Sequence, residues 1–169
     1  MFFVTNSSIS TRAQYAQKIQ TLLGLSFEIS ENFILSAAFV TANYLAERLP
    51  QGAKLFVMGM EGIQQELQAK SFDVIPGSGD VSADIAAVVV GFDPTFTYNH
   101  MANACKLFTL NPECLFIGCN LDHCYVNESN YLQPGTGALV TAVAYGSGKD
   151  PIIMGKPNNY LFDALMSAW

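Results

Sequence analysis

Short unbroken apolar runs recur along this chain, and each gives way to a turn and then to a segment of helical periodicity. They are Met1–Val4, Leu55–Met58, Ala86–Val90, Leu115–Ile117 and Pro151–Met154. Three to five apolar residues with no polar alternation predict a strand covered on both faces, which is the signature of parallel sheets. The intervening segments read as helices. Thr11 and Gln14 have capping-box spacing ahead of a face made of Tyr15, Ile19, Leu22 and Leu23, and Gly24 is a suitable stop. Ser30 is placed to cap a second helix with Ile34, Ala38, Ala42 and Leu45 on one side, ended by Pro50-Gln51-Gly52. Gly62–Lys70, Tyr98–Phe108 and Ala138–Tyr145 follow, and Pro157 precedes a last helix with Leu161, Leu165 and Ala168 in one stripe. Gly118–Gly137 reads as a long turn-rich segment. Strands alternating with helices predict an α/β fold with mostly parallel pairing.

Composition narrows the function classes. Half of the 169 residues are apolar and 13% are charged, which excludes a disordered chain. Eight Lys and Arg against fourteen Asp and Glu give a net charge of −6, which argues against a nucleic-acid partner, since phosphate neutralisation needs clustered cations. No apolar run approaches the roughly 20 residues of a membrane span, so no membrane partner is expected. The start has neither a basic leader nor a small-residue cleavage site. Cys105, Cys114, Cys119 and Cys124 are therefore expected to be reduced thiols and the chain cytoplasmic.

Ligands of open α/β sheets collect at the carboxyl ends of strands. Thr5-Asn6-Ser7-Ser8 follows the first run and offers hydroxyls, an amide and backbone N–H groups ahead of a helix, a natural phosphate cradle. Taken alone, it is also an ordinary polar turn. Gly155-Lys156-Pro157 follows the last run and can hold one positive charge against a phosphate, or be a solvated loop. Cys119-Asn120-Leu121-Asp122-His123-Cys124-Tyr125 mixes thiol, amide, carboxylate and imidazole. Its Cys and His spacing matches no zinc pattern, and His123 and Cys124, being neighbours, need not face each other as a nucleophile pair. Pro134-Gly135-Thr136-Gly137 opens a helix but is neither a P-loop nor a dinucleotide fingerprint. His100 reads as a surface or half-buried helix residue.

Taken in order, several segments resemble one family. Phe3-Val4-Thr5-Asn6-Ser7-Ser8 with Arg12, Tyr15 and Leu23-Gly24 resembles the second motif of the haloacid dehalogenase superfamily. The nearest branch is that of p-nitrophenylphosphatases, phosphoglycolate phosphatases and pyridoxal phosphatases. Val57-Met58-Gly59-Met60-Glu61-Gly62, Val88–Asp93, the Asn120–Asp122 turn, Pro134–Gly137 and Gly155-Lys156-Pro157-Asn158 with Phe162 recur in the same order.

The resemblance implies a large α/β cap near residues 48–148, inserted in a partial Rossmann-like core formed by residues near 1–47 and 149–169. It implies that Thr5 and Asn6 hold the transferring phosphoryl group and that Lys156 neutralises it. Asn120, Asp122 and Tyr125 would lie on the cap loop that selects the leaving group. It further implies a phosphomonoesterase that acts on small organic phosphates through an Asp-phosphate, with Mg2+. No Asp-x-Asp pair occurs in the chain, and only Asp163 follows Lys156. The expectation is therefore the middle of such an enzyme, inactive by itself, with its metal ligands elsewhere. An exposed apolar sheet edge beside Met1–Val4 is also expected, with self-association, a homodimer being one form. The alternative is a non-catalytic phosphate-binding or interaction module that retains the cap. A nucleotide-binding protein is disfavoured, because no glycine fingerprint follows a strand.

Overall fold

The computed structural model describes residues 2–167. Met1 and Ala168, assigned above to the first strand and the last helix, lie outside the described residues. Two parallel sheets organise the chain. In the smaller, β1 (Phe3–Thr5) pairs with β2 (Ile34–Ser36). In the larger, five strands run in the order β4 (Asp73–Pro76), β3 (Lys54–Met58), β5 (Ile85–Val90), β6 (Leu115–Gly118) and β9 (Ile152–Ile153). All of its pairs are parallel. A short antiparallel hairpin, β7 (Cys124–Val126) and β8 (Leu132–Pro134), stands outside both sheets.

The continuous apolar runs are explained by helices on both faces of the larger sheet. Leu55, Val57, Ala87, Val89 and Ile117 face one side and pack with α2 (Ala37–Ala46), α3 (Glu61–Gln68) and Leu161 of α6 (Tyr160–Ser167). Phe56, Met58, Val88, Val90 and Phe116 face the other and pack with α4 (Tyr98–Leu110) and α5 (Thr136–Ser147). This alternation across a sheet covered on both sides is what parallel pairing requires. α2 and α6, beyond the expected boundaries at 47/48 and 148/149, thus share one hydrophobic cluster with the strands between those boundaries. Likewise β9 joins the larger sheet through β6 and not the β1–β2 pair.

α1 (Arg12–Leu23) begins and ends as its sequence dictates. Thr11 accepts from the Gln14 N–H, the Gln14 side chain returns to the Thr11 N–H, and Gly24 closes the helix at φ 60°. The segment after it departs from the periodicity reading. Ser30 caps only a short 3-10 turn, Ile34 lies on β2, and the helix starts at Ala37 with Ser36 accepting from the Phe39 N–H. An apolar run of this length cannot be divided between strand and helix by periodicity, and pairing with β1 decides it. Strand β4 and the β7–β8 hairpin, absent from the sequence reading, complete the differences.

Among the described residues β1 pairs only with β2. A groove along the β1–β2 pair and α1 is lined by Phe3, Val4, Ile19, Leu22 and Ile34. Cys114 and Cys119 are buried, and burial pushes both thiols up to about 11. No helix among the described residues is long and apolar enough to cross a membrane.

Candidate functional site

The ends of β1, β5, β6 and β9 converge on one cleft of about 580 Å³. β1 delivers Thr5 and the loop Asn6–Ile9, β5 delivers Phe92, β6 delivers Asn120 and Asp122, and the turn after β9 delivers Lys156. Cys124 and Tyr125 of the hairpin, with Gly135 and Thr136 at the start of α5, close the remaining side. Every residue named in advance as a site residue therefore lines a single cleft, although Asn6 and Lys156 are 150 positions apart in sequence.

Backbone geometry fixes the β1–α1 loop. Ser8 is fully buried, and its hydroxyl accepts from the Phe92 N–H at 3.0 Å. The first turn of α3 donates two N–H groups to the same loop, from Gly62 to the Ile9 carbonyl at 3.0 Å and from Ile63 to the Ser8 carbonyl at 3.1 Å. That approach needs a glycine at 62, because a Cβ there would stand 2.5 Å from the Ile9 carbonyl and the Ser10 nitrogen. The Thr5 hydroxyl accepts from the Ser7 N–H at 3.2 Å, which leaves its own proton free to donate. The Tyr15 hydroxyl on α1 donates to the Ser7 hydroxyl, which also accepts from the Ile9 N–H.

Asn6 is a junction. Its Oδ1 accepts from the Lys156 N–H at 2.7 Å. Its Nδ2 donates to the Lys156 carbonyl at 3.2 Å and to Asp122 Oδ1 at 3.0 Å. Its carbonyl accepts from the buried Asn120 side chain at 2.8 Å, and Asn120 Oδ1 in turn accepts from the Asp122 N–H at 2.9 Å. Lys156 is the one cation on the cleft lining and Asp122 the one carboxylate. Among the described residues no ion pair or hydrogen bond holds the Lys156 ammonium, so its charge is available to a ligand. Tyr125 is 44% exposed and meets Phe92 edge to face at 5.5 Å between ring centres, so the hairpin side of the cleft is an aromatic wall.

The remaining candidates fall elsewhere. Cys114 and Cys119 are buried at the two ends of β6, and Cys119 lies 3.7 Å from the Thr41 hydroxyl. Among the described residues no three His, Cys, Asp or Glu side chains gather to hold a metal ion. His100 is half-buried on α4, 3.9 Å from Asp93. Ser7, Ser8, Phe92 and Thr136 also line the cleft; each lies in a segment quoted from the sequence, although none is named there as a site residue in its own right. Phe92 follows the clearest strand of the chain, and the strand-end rule already points to it.

A parallel α/β fold with a polar cleft at the strand ends defines a class, and comparison with known proteins supplies the family. Residues 1–73 match the model of haloacid dehalogenase-like hydrolases, and the chain belongs to that family. It is 34% identical to the glycerol-3-phosphate phosphatase of Gallus gallus, an alignment covering 98% of this chain and 57% of the relative. It is 35% identical to phosphoglycolate phosphatase 2 of Arabidopsis thaliana, covering 97% and 59% respectively. The chain thus spans between half and two thirds of the length of these curated relatives. Among solved structures, the p-nitrophenyl phosphatase of Archaeoglobus fulgidus superposes with a TM-score of 0.85 at 25% identity, over 99% of this chain and 60% of that one. A glycerol phosphate phosphatase of Mycobacterium tuberculosis, solved in complex with magnesium, superposes with a TM-score of 0.81 at 26% identity, over 98% of this chain and 48% of that one.

Proposed function

We propose that the cleft is the phosphate-holding and leaving-group-selecting part of a phosphomonoesterase for small organic phosphates. The observation that carries this reading is the convergence of Thr5, Asn6, Asn120, Asp122, Tyr125 and Lys156 on one cleft with a single unpaired ammonium. The relatives named for phosphatase activity make the same chemistry the first one to test.

Each residue has a physical role in such a reaction. Lys156 places one positive charge against a phosphoryl oxygen, where charge is greatest as the ester bond breaks. The Thr5 hydroxyl, oriented by the Ser7 N–H, donates a hydrogen bond to a second oxygen. Phe92 and Tyr125 give the leaving group an apolar wall, while Asn120 and Asp122 border it with polar atoms. The attacking carboxylate of the Asp-phosphate route is not assigned to any residue of the cleft. Asp122, its one carboxylate, is held by Asn6 and lies on the leaving-group side.

Magnesium is proposed for the whole enzyme from the family resemblance. The residues of this cleft do not form its site, because Asp122 is a lone carboxylate committed to an amide. No step is assigned to the ion.

The test is turnover by a fusion in which this chain replaces the matched region of the Gallus gallus glycerol-3-phosphate phosphatase. With magnesium, the fusion is expected to hydrolyse p-nitrophenyl phosphate, while the 169-residue chain alone is not. A folded fusion without turnover would overturn the reading.

A further inference from the structure

We propose that the Asn6 side chain is a positioning residue and not a ligand of the phosphate. It joins the turn that carries Lys156 to the loop that carries Asp122, and so sets the direction of the Lys156 ammonium. This rests on the phosphate-site reading above.

Valence leads to this assignment. A carboxamide has two N–H donors and one carbonyl. In Asn6 the nitrogen donates to the Lys156 carbonyl and to Asp122 Oδ1, and the oxygen accepts from the Lys156 N–H. Both protons are used, so none is left for a phosphoryl oxygen. The pairing with Lys156 is two-sided, because the amide holds the N–H and the carbonyl of the same residue. Only a side chain with a donor and an acceptor on one short planar group can do this. Aspartate lacks the donor, and glutamine is one methylene too long for the same position. Through its third bond Asn6 ties the lysine turn to the leaving-group loop. Asn120 holds that loop a second time, through the Asn6 carbonyl.

A residue that acts through Lys156 has no effect once the lysine is gone. An independent phosphate ligand contributes in either background. The experiment is calorimetric titration of the 169-residue chain with inorganic phosphate, for the natural sequence, Asn6→Ala, Lys156→Ala and the double variant. Lys156→Ala is expected to weaken phosphate binding about tenfold, as for loss of one charge-assisted hydrogen bond. Asn6→Ala is expected to weaken it about fivefold. The double variant is expected to match Lys156→Ala within about twofold. Effects that multiply in the double variant would make Asn6 an independent ligand and overturn the proposal. An Asn6→Ala affinity equal to the natural one would overturn it as well. If Lys156→Ala leaves phosphate binding unchanged, the phosphate-site reading itself fails, and that outcome is distinct from both. Should the alanine variant unfold, Asn6→Leu keeps the branched shape without the hydrogen bonds and faces the same outcomes.

Discussion

Lys156→Ala in the turnover-competent fusion is expected to lower kcat for p-nitrophenyl phosphate by about 10²–10³, the usual scale for removing one preorganised electrostatic group from a reacting centre. The basis is the charge inventory of the cleft. Lys156 is the one cation on the lining, and its ammonium is held by no carboxylate among the described residues. No other side chain on this lining carries a positive charge that could replace it against the phosphoryl oxygens. The loss should fall mainly on kcat, because that charge is greater in the transition state than in the bound ester. Lys156→Arg should restore little, since the planar guanidinium needs more room and directs its donors differently. Steady-state kinetics on the two variants checks both statements. An alanine variant that keeps more than about a tenth of the natural kcat would remove Lys156 from the reaction.

Gly135→Ala is expected to destabilise the chain by about 2–3 kcal/mol, the upper part of the range for overpacking. A Cβ at this position would stand 2.2 Å from the Asp122 carbonyl oxygen and 3.2 Å from the Cys124 nitrogen. Both obstacles are backbone, so no side-chain rotation relieves them. The contact is also bonded, with the Gly135 N–H donating to the His123 carbonyl at 2.9 Å and the Gly137 N–H to the Asp122 carbonyl at 3.0 Å. The start of α5 therefore holds the loop of residues 122–124, and an added methyl group must push that loop away. For a chain of this length the thermal midpoint should fall by about 4–12 °C. Differential scanning calorimetry reads the midpoint. An unchanged midpoint would mean that the loop is free to shift and does not define the cleft wall.

The parts of the fold legible in sequence are those where one local signal dominates. Ala86–Val90 is continuous and β-branched because both of its faces are covered, and nothing else in the chain reads so plainly as a strand. The α1 cap was legible because Thr11 and Gln14 satisfy each other locally. β2 was not, because Ile34–Ser36 is fixed by register with Phe3–Thr5, some thirty positions upstream. β4 is an edge strand that ends in a proline, and β7 and β8 expose most of their residues, so neither shows a run of buried positions. The site divides in the same way. Thr5 and Lys156 were legible as polar residues at strand ends. The role of Asn6 was not, because its partners lie 116 and 150 positions away and only the folded chain brings them together. The resemblance to a phosphatase family placed Asn6 beside the phosphate, whereas the geometry engages its amide entirely with protein.

The central claim is that the cleft between the ends of β1 and β9 holds a phosphoryl group. Its most direct test is a titration of the isotopically labelled 169-residue chain with inorganic phosphate, followed by amide NMR. Saturable shifts are predicted at Thr5, Asn6, Ser7, Asn120 and Lys156, absent from α4 and from β4, with a midpoint about tenfold higher in phosphate for Lys156→Ala. Shifts centred elsewhere, or a cleft that stays silent at saturating phosphate, would contradict the account.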